Sequence, residues 1–207
     1  MARGVRRVSV LAGLVVVLLG VVYAGHSRPG AVDRWLVDPT VDSVRGPWRR
    51  VALALDFLGE PGGSVGLVLV AVLACLVLRW VRGAVFTVVG VGLTVVVATV
   101  LKHLVGRTIH GDGNLSYPSG HTAFFTALAL VVALPATGLL GLGRTAGAWC
   151  VAVAALAAGG AMGWAQVALG AHYPTDVLGG WCTALAVVPA SGLLVDRVAG
   201  TRWRKAR

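Results

Sequence analysis

Charge is scarce in this 207-residue chain: only 13% of its residues are Asp, Glu, Lys or Arg, against roughly 25% in a soluble globular domain. Lysine is nearly missing, occurring only as Lys102 and Lys205. A water-facing surface cannot be built from that inventory, so a soluble domain is excluded. Disorder is excluded by the apolar excess of 57%, since so apolar a chain has ample surface to bury. Cysteine is sparse too: Cys75, Cys150 and Cys182 are odd in number and lie inside apolar runs. They make no disulfide scaffold and read as small buried hydrophobes. Aromatics, at 7%, never interleave with a basic stretch, which sets aside nucleic acid as a partner. Repeats of solenoid length are absent.

What the chain does have is long apolar runs, at about residues 8–24, 64–80, 84–105, 119–139, 146–170 and 175–195. Each comes near the roughly 20 residues that cross a bilayer as helix. The expected fold is all-α, a polytopic membrane protein with a six-transmembrane-helix bundle, residues 1–207 forming one integral membrane domain. The first run is read as an uncleaved anchor, because His26-Ser27-Arg28 offers no small-x-small cleavage site.

Six spans return both termini to one side. The net charge of +10 then falls wholly on that side, carried by Arg3, Arg6, Arg7, Arg79, Arg82, Arg144 and the cluster from Arg197 to Arg207. On the other side, arginines and Lys102 are matched by acids that include Asp38, Asp42 and Asp112. The positive-inside rule therefore places the termini in the cytoplasm and the ends of loops 25–63, 106–118 and 170–175 outside. Loop 25–63 is expected to hold an interfacial helix with Trp35 and Trp48 at headgroup level, and nothing in it reads as catalytic. Gly159 and Gly163 are read as a helix-packing pair. Heavy use of Ala, Gly, Val and Arg with so little Lys points to a bacterial genome rich in G and C, hence a bacterial cytoplasmic membrane.

Polar residues are costly in such a chain, so their clustering is informative. Three clusters fall on the outer side: Lys102 to Arg107, Tyr117-Pro118-Ser119-Gly120-His121-Thr122, and His172-Tyr173-Pro174-Thr175-Asp176. Between His121 and His172 there is room for one helix down and one helix up, which returns both histidines to one depth. Asp176, four residues after His172, shares its face if the stretch is helical. Its carboxylate can take the Nδ1 proton and leave Nε2 as a nucleophile, with His121 as acid. Ser119 and Gly120 at a helix start offer free N–H groups, the positive end of the helix dipole and a hydroxyl to a phosphate-sized anion, and Lys102 adds a full charge. Plainer readings stand beside these: Ser119 as an N-cap, Asp176 as a cap, Pro174 as a helix start.

These residues resemble the type 2 phosphatidic acid phosphatase family of integral-membrane lipid phosphatases, whose pattern is K-x6-R-P, then P-S-G-H, then S-R-x5-H-x3-D. The resemblance covers about residues 60–195. Pro118-Ser119-Gly120-His121 completes the second motif, His172 and Asp176 close the third, and Lys102 opens the first. Ile109-His110 stands where the family has Arg-Pro, and Ala165-Gln166 where it has Ser-Arg. A guanidinium holds phosphate bidentately and neither Ile nor Gln replaces that. Arg107 is the candidate substitute, although on an unbroken helix it would sit about 140° from Lys102; Gly106 makes a helix end there credible. Gln166 can donate a neutral hydrogen bond. The resemblance implies that His172 attacks phosphorus to give a phosphohistidine, Asp176 orients it, His121 protonates the leaving oxygen, and water completes hydrolysis with no metal and no other cofactor.

The expected function is a lipid phosphate or diphosphate phosphatase at the outer membrane face. Its substrate would be a polyprenyl diphosphate, phosphatidate or phosphatidylglycerophosphate, with no nucleic acid partner. The alternative is a catalytically weak member acting as a lipid-binding subunit or as partner to another membrane protein. A transporter is disfavoured, since the spans hold almost no ionisable residue away from the surface cluster.

Overall fold

The structure, a computed structural model, describes residues 3–111 and 113–205, without the side chains of residues 3, 38, 39, 41–43 and 199–205. Of the charges counted above, Arg3, Asp38, Asp42, Asp112, Arg202, Arg204, Lys205 and Arg207 lie outside the described residues or side chains. Eight α-helices follow one another: α1 Arg3–Val22, α2 Ala31–Ser43, α3 Pro47–Gly59, α4 Pro61–Val77, α5 Val81–Val105, α6 Gly120–Leu139, α7 Arg144–Ala168 and α8 Pro174–Lys205. Helices α1, α5, α6, α7 and most of α8 are long and apolar enough to cross a membrane. The pair α3 and α4, bent by 69° at Glu60, makes a sixth candidate span. The all-α membrane bundle expected from the apolar runs is therefore what forms. Loop 25–63 differs from expectation, holding two helices where one was foreseen.

The bundle is apolar outside and small or hydroxylic inside, as helices solvated by lipid require. Leu11, Leu14 and Leu18 of α1 and Val70 and Leu73 of α4 are exposed, while Thr87, Thr94, Thr126, Thr183 and Ser191 are buried. Those buried hydroxyls donate to carbonyls three or four residues back in their own helices, for instance Thr94 to Gly90 at 2.8 Å and Thr183 to Gly179 at 2.7 Å, so none is left unpaired in an apolar interior. The glycine pair of α7 packs as anticipated: a Cβ at Gly159 would strike Trp181, and one at Gly163 would strike Val177. Both neighbours belong to α8.

Local signals set the helix ends that matter. Gly106, at φ 63°, ends α5 in the left-handed conformation and donates to Lys102 O at 3.0 Å, a glycine C-terminal cap. Ser119 caps α6, its side chain accepting from Thr122 N–H at 3.4 Å. Pro174 opens α8, where its missing N–H costs nothing. The C-terminal ends of α1, α5 and α7, the N-terminal ends of α6 and α8, and the α3–α4 bend all meet at one end of the bundle. Arg82 and Asp196, paired at 3.1 Å, mark the other end.

Candidate active site

Arg107 emerges from the capped end of α5 and turns inward. It is fully buried, with Nη1 donating to Asp176 Oδ1 and Thr175 Oγ1 at 2.6 Å each, and Nη2 to Asp33 Oδ2 at 2.6 Å. The guanidinium also lies against the Tyr23 and Tyr173 rings, 4.0 and 4.6 Å from their centroids. Two carboxylates take up its Nη groups, so those donors are paired within the protein rather than turned to an open anion site. Helix α5 does end at Gly106, but the freed arginine swings to acids. Ile109 is buried in the same loop, its N–H donating to Asn114 O at 3.0 Å.

Asp176 is the pivot between this network and the histidines. Its Oδ2 accepts Tyr173 N–H at 3.0 Å, the third residue of α8 reaching back across the helix start. It also lies 3.8 Å from His172 Nδ1, too far for a hydrogen bond but close enough to act by charge. His172 is 8% exposed. Burial depresses its basicity below the ordinary imidazole value of 6.5, with Lys102 and His121 pushing the same way and Asp176 opposing. Ser119, two residues before His121, donates its N–H to Asp176 O at 2.9 Å, and Asp176 Oδ2 lies 3.8 Å from His172 Nδ1, so the two histidines stand at the same end of the bundle on either side of Asp176.

His121, the second residue of α6, meets groups the sequence reading did not anticipate. Its Nε2 is 3.7 Å from Asp56 Oδ1 and 3.6 Å from Glu60 Oε1, both delivered by the α3–α4 bend. Gln166, at the end of α7, donates from Nε2 to Asp56 Oδ1 at 2.7 Å rather than facing an open anion site. Asp33 of α2 accepts from Thr175 N–H at 3.0 Å as well as from Arg107. Loop 25–63, expected to contribute nothing, therefore supplies three acids.

The remaining candidates sit around this cluster. Lys102 Nζ donates to Leu115 O at 3.0 Å. Ser119 N–H donates to Asp176 O at 2.9 Å and its hydroxyl caps α6, so the plainer N-cap reading holds for it. Gly120 faces open space, with nothing within 4 Å of where a Cβ would stand. Among the described residues, the buried side-chain nitrogens with no hydrogen-bond partner are Arg107 Nε, His121 Nε2 and His172 Nδ1. All three lie here, and buried polar atoms without partners ask for an explanation such as a ligand.

Fold and site together define a polytopic membrane protein with a histidine-centred polar cluster at one end of a helical bundle. A model of the PAP2 superfamily matches residues 83–198, more than half of the chain, and the chain belongs to that superfamily, the type 2 phosphatidic acid phosphatases. Its fold is similar to that of the first transmembrane PAP2 type phosphatidylglycerolphosphate phosphatase from Bacillus subtilis. The TM-score is 0.70 at 22% sequence identity, over 93% of this chain and 96% of that one. A search of curated protein sequences gives no match. The fold is of the PAP2 phosphatase type.

Proposed function

We propose that this protein releases phosphate from a membrane lipid phosphate or diphosphate, with His172 as nucleophile. The observation that carries the reading is the convergence of His121 and His172, each with a buried nitrogen lacking a partner, beside the Ser119-Gly120 start of α6. His172 forms a bond to phosphorus as the bond to the leaving oxygen breaks, Asp176 steadies the imidazole by charge, and His121 serves the leaving oxygen from the other side. Water then attacks the phosphohistidine, freeing phosphate and restoring neutral His172. The N–H groups of Gly120 and His121 and the ammonium of Lys102 hold the phosphoryl oxygens. Arg107 acts as a positioning residue, fixing Asp176.

The substrate is a polyprenyl diphosphate, phosphatidate or phosphatidylglycerophosphate, the last being what the Bacillus subtilis neighbour is named for. The charge asymmetry supports cytoplasmic termini and a histidine cluster on the outer face of a bacterial cytoplasmic membrane. The test is phosphate release by the purified full chain from each of the three lipids, with divalent cation supplied. His172→Gln is expected to lose activity by at least about a thousandfold, within the range known for removal of groups that act directly in the chemistry. Undiminished release by His172→Gln would remove the reading.

A second reading is favoured by Ile109 and by Gln166 facing Asp56: a weak or inactive member that binds a lipid headgroup beside a membrane partner. Turnover on the order of 1 s⁻¹ or faster would exclude it.

A further inference from the structure

Asp33 lies outside residues 83–198, the stretch that matches the superfamily model, yet it reaches the groups that support His172. Helix α8 begins without a complete cap of its own. Tyr173, the residue before Pro174, has no short side-chain oxygen, and Asp176 supplies only the returning half of a capping box by accepting the Tyr173 N–H at 3.0 Å. The other half comes from α2. Asp33 Oδ1 accepts the Thr175 N–H at 3.0 Å and the Thr175 hydroxyl at 2.8 Å, and Gly30 N–H holds Asp33 Oδ2 in turn at 3.0 Å.

The same contact divides charge. Asp33, Arg107 and Asp176 are fully buried and form a row of two ion pairs, each 2.6 Å long, so two carboxylates share one guanidinium and one negative charge is left over. Arg107 facing Asp176 alone would make a neutral pair. We propose that Asp33 is a positioning residue for the nucleophile: by occupying one side of Arg107 it leaves Asp176 its negative charge toward His172, and by holding Thr175 it fixes the helix start from which that charge is delivered. Buried charges of this kind are little screened by salt. Asp176 therefore acts at 3.8 Å from His172 Nδ1 with Asp33 behind it.

The consequence for catalysis rests on the phosphatase reading, whereas the charge network stands without it. As His172 Nε2 bonds to phosphorus, the electron pair of the breaking P–O bond leaves with the departing oxygen and the imidazole ring gains positive charge. A row carrying one net negative charge beside Nδ1 favours that change, and a neutral pair does not. Asp33 touches neither substrate nor nucleophile, so its loss should slow the bond-making step and leave substrate binding nearly as it was.

The test sets a charge effect against a merely structural one. Nuclear magnetic resonance of labelled histidine in the full chain in detergent reads the His172 ring, with His172→Gln for assignment. Lys102 and His121 also act on that ring, and they are the same in every variant. Asp33→Asn keeps an oxygen for the Thr175 N–H but removes a negative charge, and is expected to weaken proton binding by His172 at least about threefold. Arg107→Gln removes the positive charge and is expected to strengthen it by a similar factor. Damaged packing has no reason to give opposite signs. With phosphatidate as substrate, Asp33→Asn should lose kcat at least about tenfold with KM changed less than about threefold. Shifts of one sign in both variants, no shift in either, or an undiminished kcat in Asp33→Asn would each overturn the proposal. Where only one of the two variants folds, its shift decides alone. Opposite shifts in a protein that releases phosphate from no lipid would uphold the network and end the phosphatase reading instead.

Discussion

Removing Asp33 should cost this protein more than any exposed charge it carries. The carboxylate is fully buried and accepts from Arg107 Nη2 at 2.6 Å, from Thr175 N–H at 3.0 Å, from the Thr175 hydroxyl at 2.8 Å and from Gly30 N–H at 3.0 Å. In Asp33→Ala the guanidinium keeps Asp176 and its two tyrosine rings but loses half of its countercharge. Breaking one partner from a buried pair costs about 3–5 kcal/mol. The orphaned Thr175 N–H would add about 1–3 kcal/mol if nothing else reached it. Because Asp176 remains, the lower end of each range is the better figure, about 4 kcal/mol in all. The internal control is Asp196→Ala, which breaks the exposed pair with Arg82, a contact worth about 1 kcal/mol or less. Equilibrium unfolding of both variants in one mixed-micelle system, monitored by tryptophan fluorescence, gives the comparison directly. If Asp33→Ala were no less stable than Asp196→Ala, the buried network would not be holding α2 and α8 together.

Two other outcomes follow from the same geometry. Since burial lowers the basicity of His172, its imidazole stays neutral to more acidic pH than a free histidine, and the nucleophile persists where an ordinary one would be protonated. Its ring should titrate with a midpoint below 6.5, seen by nuclear magnetic resonance of labelled histidine with His172→Gln for assignment; a midpoint at or above 6.5 would contradict the burial argument. Gly59→Ala places a methyl group against the His121 ring, whereas Gly62→Ala meets nothing within 4 Å. The first should therefore reduce phosphate release at least about tenfold while the second leaves it unchanged, and equal rates would show that the close approach has no consequence.

Much of the bundle could be read from the chain because spans announce themselves by length and apolarity alone. Gly106 and Ser119 fixed where α5 stops and α6 starts, and these are local signals that no distant contact overrides. The histidine pair was equally legible, since two membrane-length helices between them dictate a return to the same depth. Loop 25–63 was not. Its helices are 13 residues each, too short to register as spans, and their role depends on partners remote in the chain: Asp33 on Arg107 and Thr175, Asp56 on Gln166 and His121. A usable signal existed in Asp56 and Glu60, four residues apart in a chain with only eight acids, flanked by Pro47 and Pro61 and so bounded as a helix with both acids on one face.

Arg107 shows how little spacing alone says about where a guanidinium goes. Its angle on an unbroken helix points away from Lys102, and the helix end at Gly106 frees it from that angle. Release does not choose a destination; the deepest nearby potential does. Asp176 is fixed at the start of α8 by Tyr173 N–H, and Asp33 by Gly30 and Thr175, so two immobile carboxylates already stood where the guanidinium could reach. A buried arginine paired at both ends has its desolvation offset before any ligand arrives. A phosphate would have to displace a carboxylate to claim its Nη groups. In the proposed reaction, positive charge for the substrate comes from Lys102 and from the start of α6.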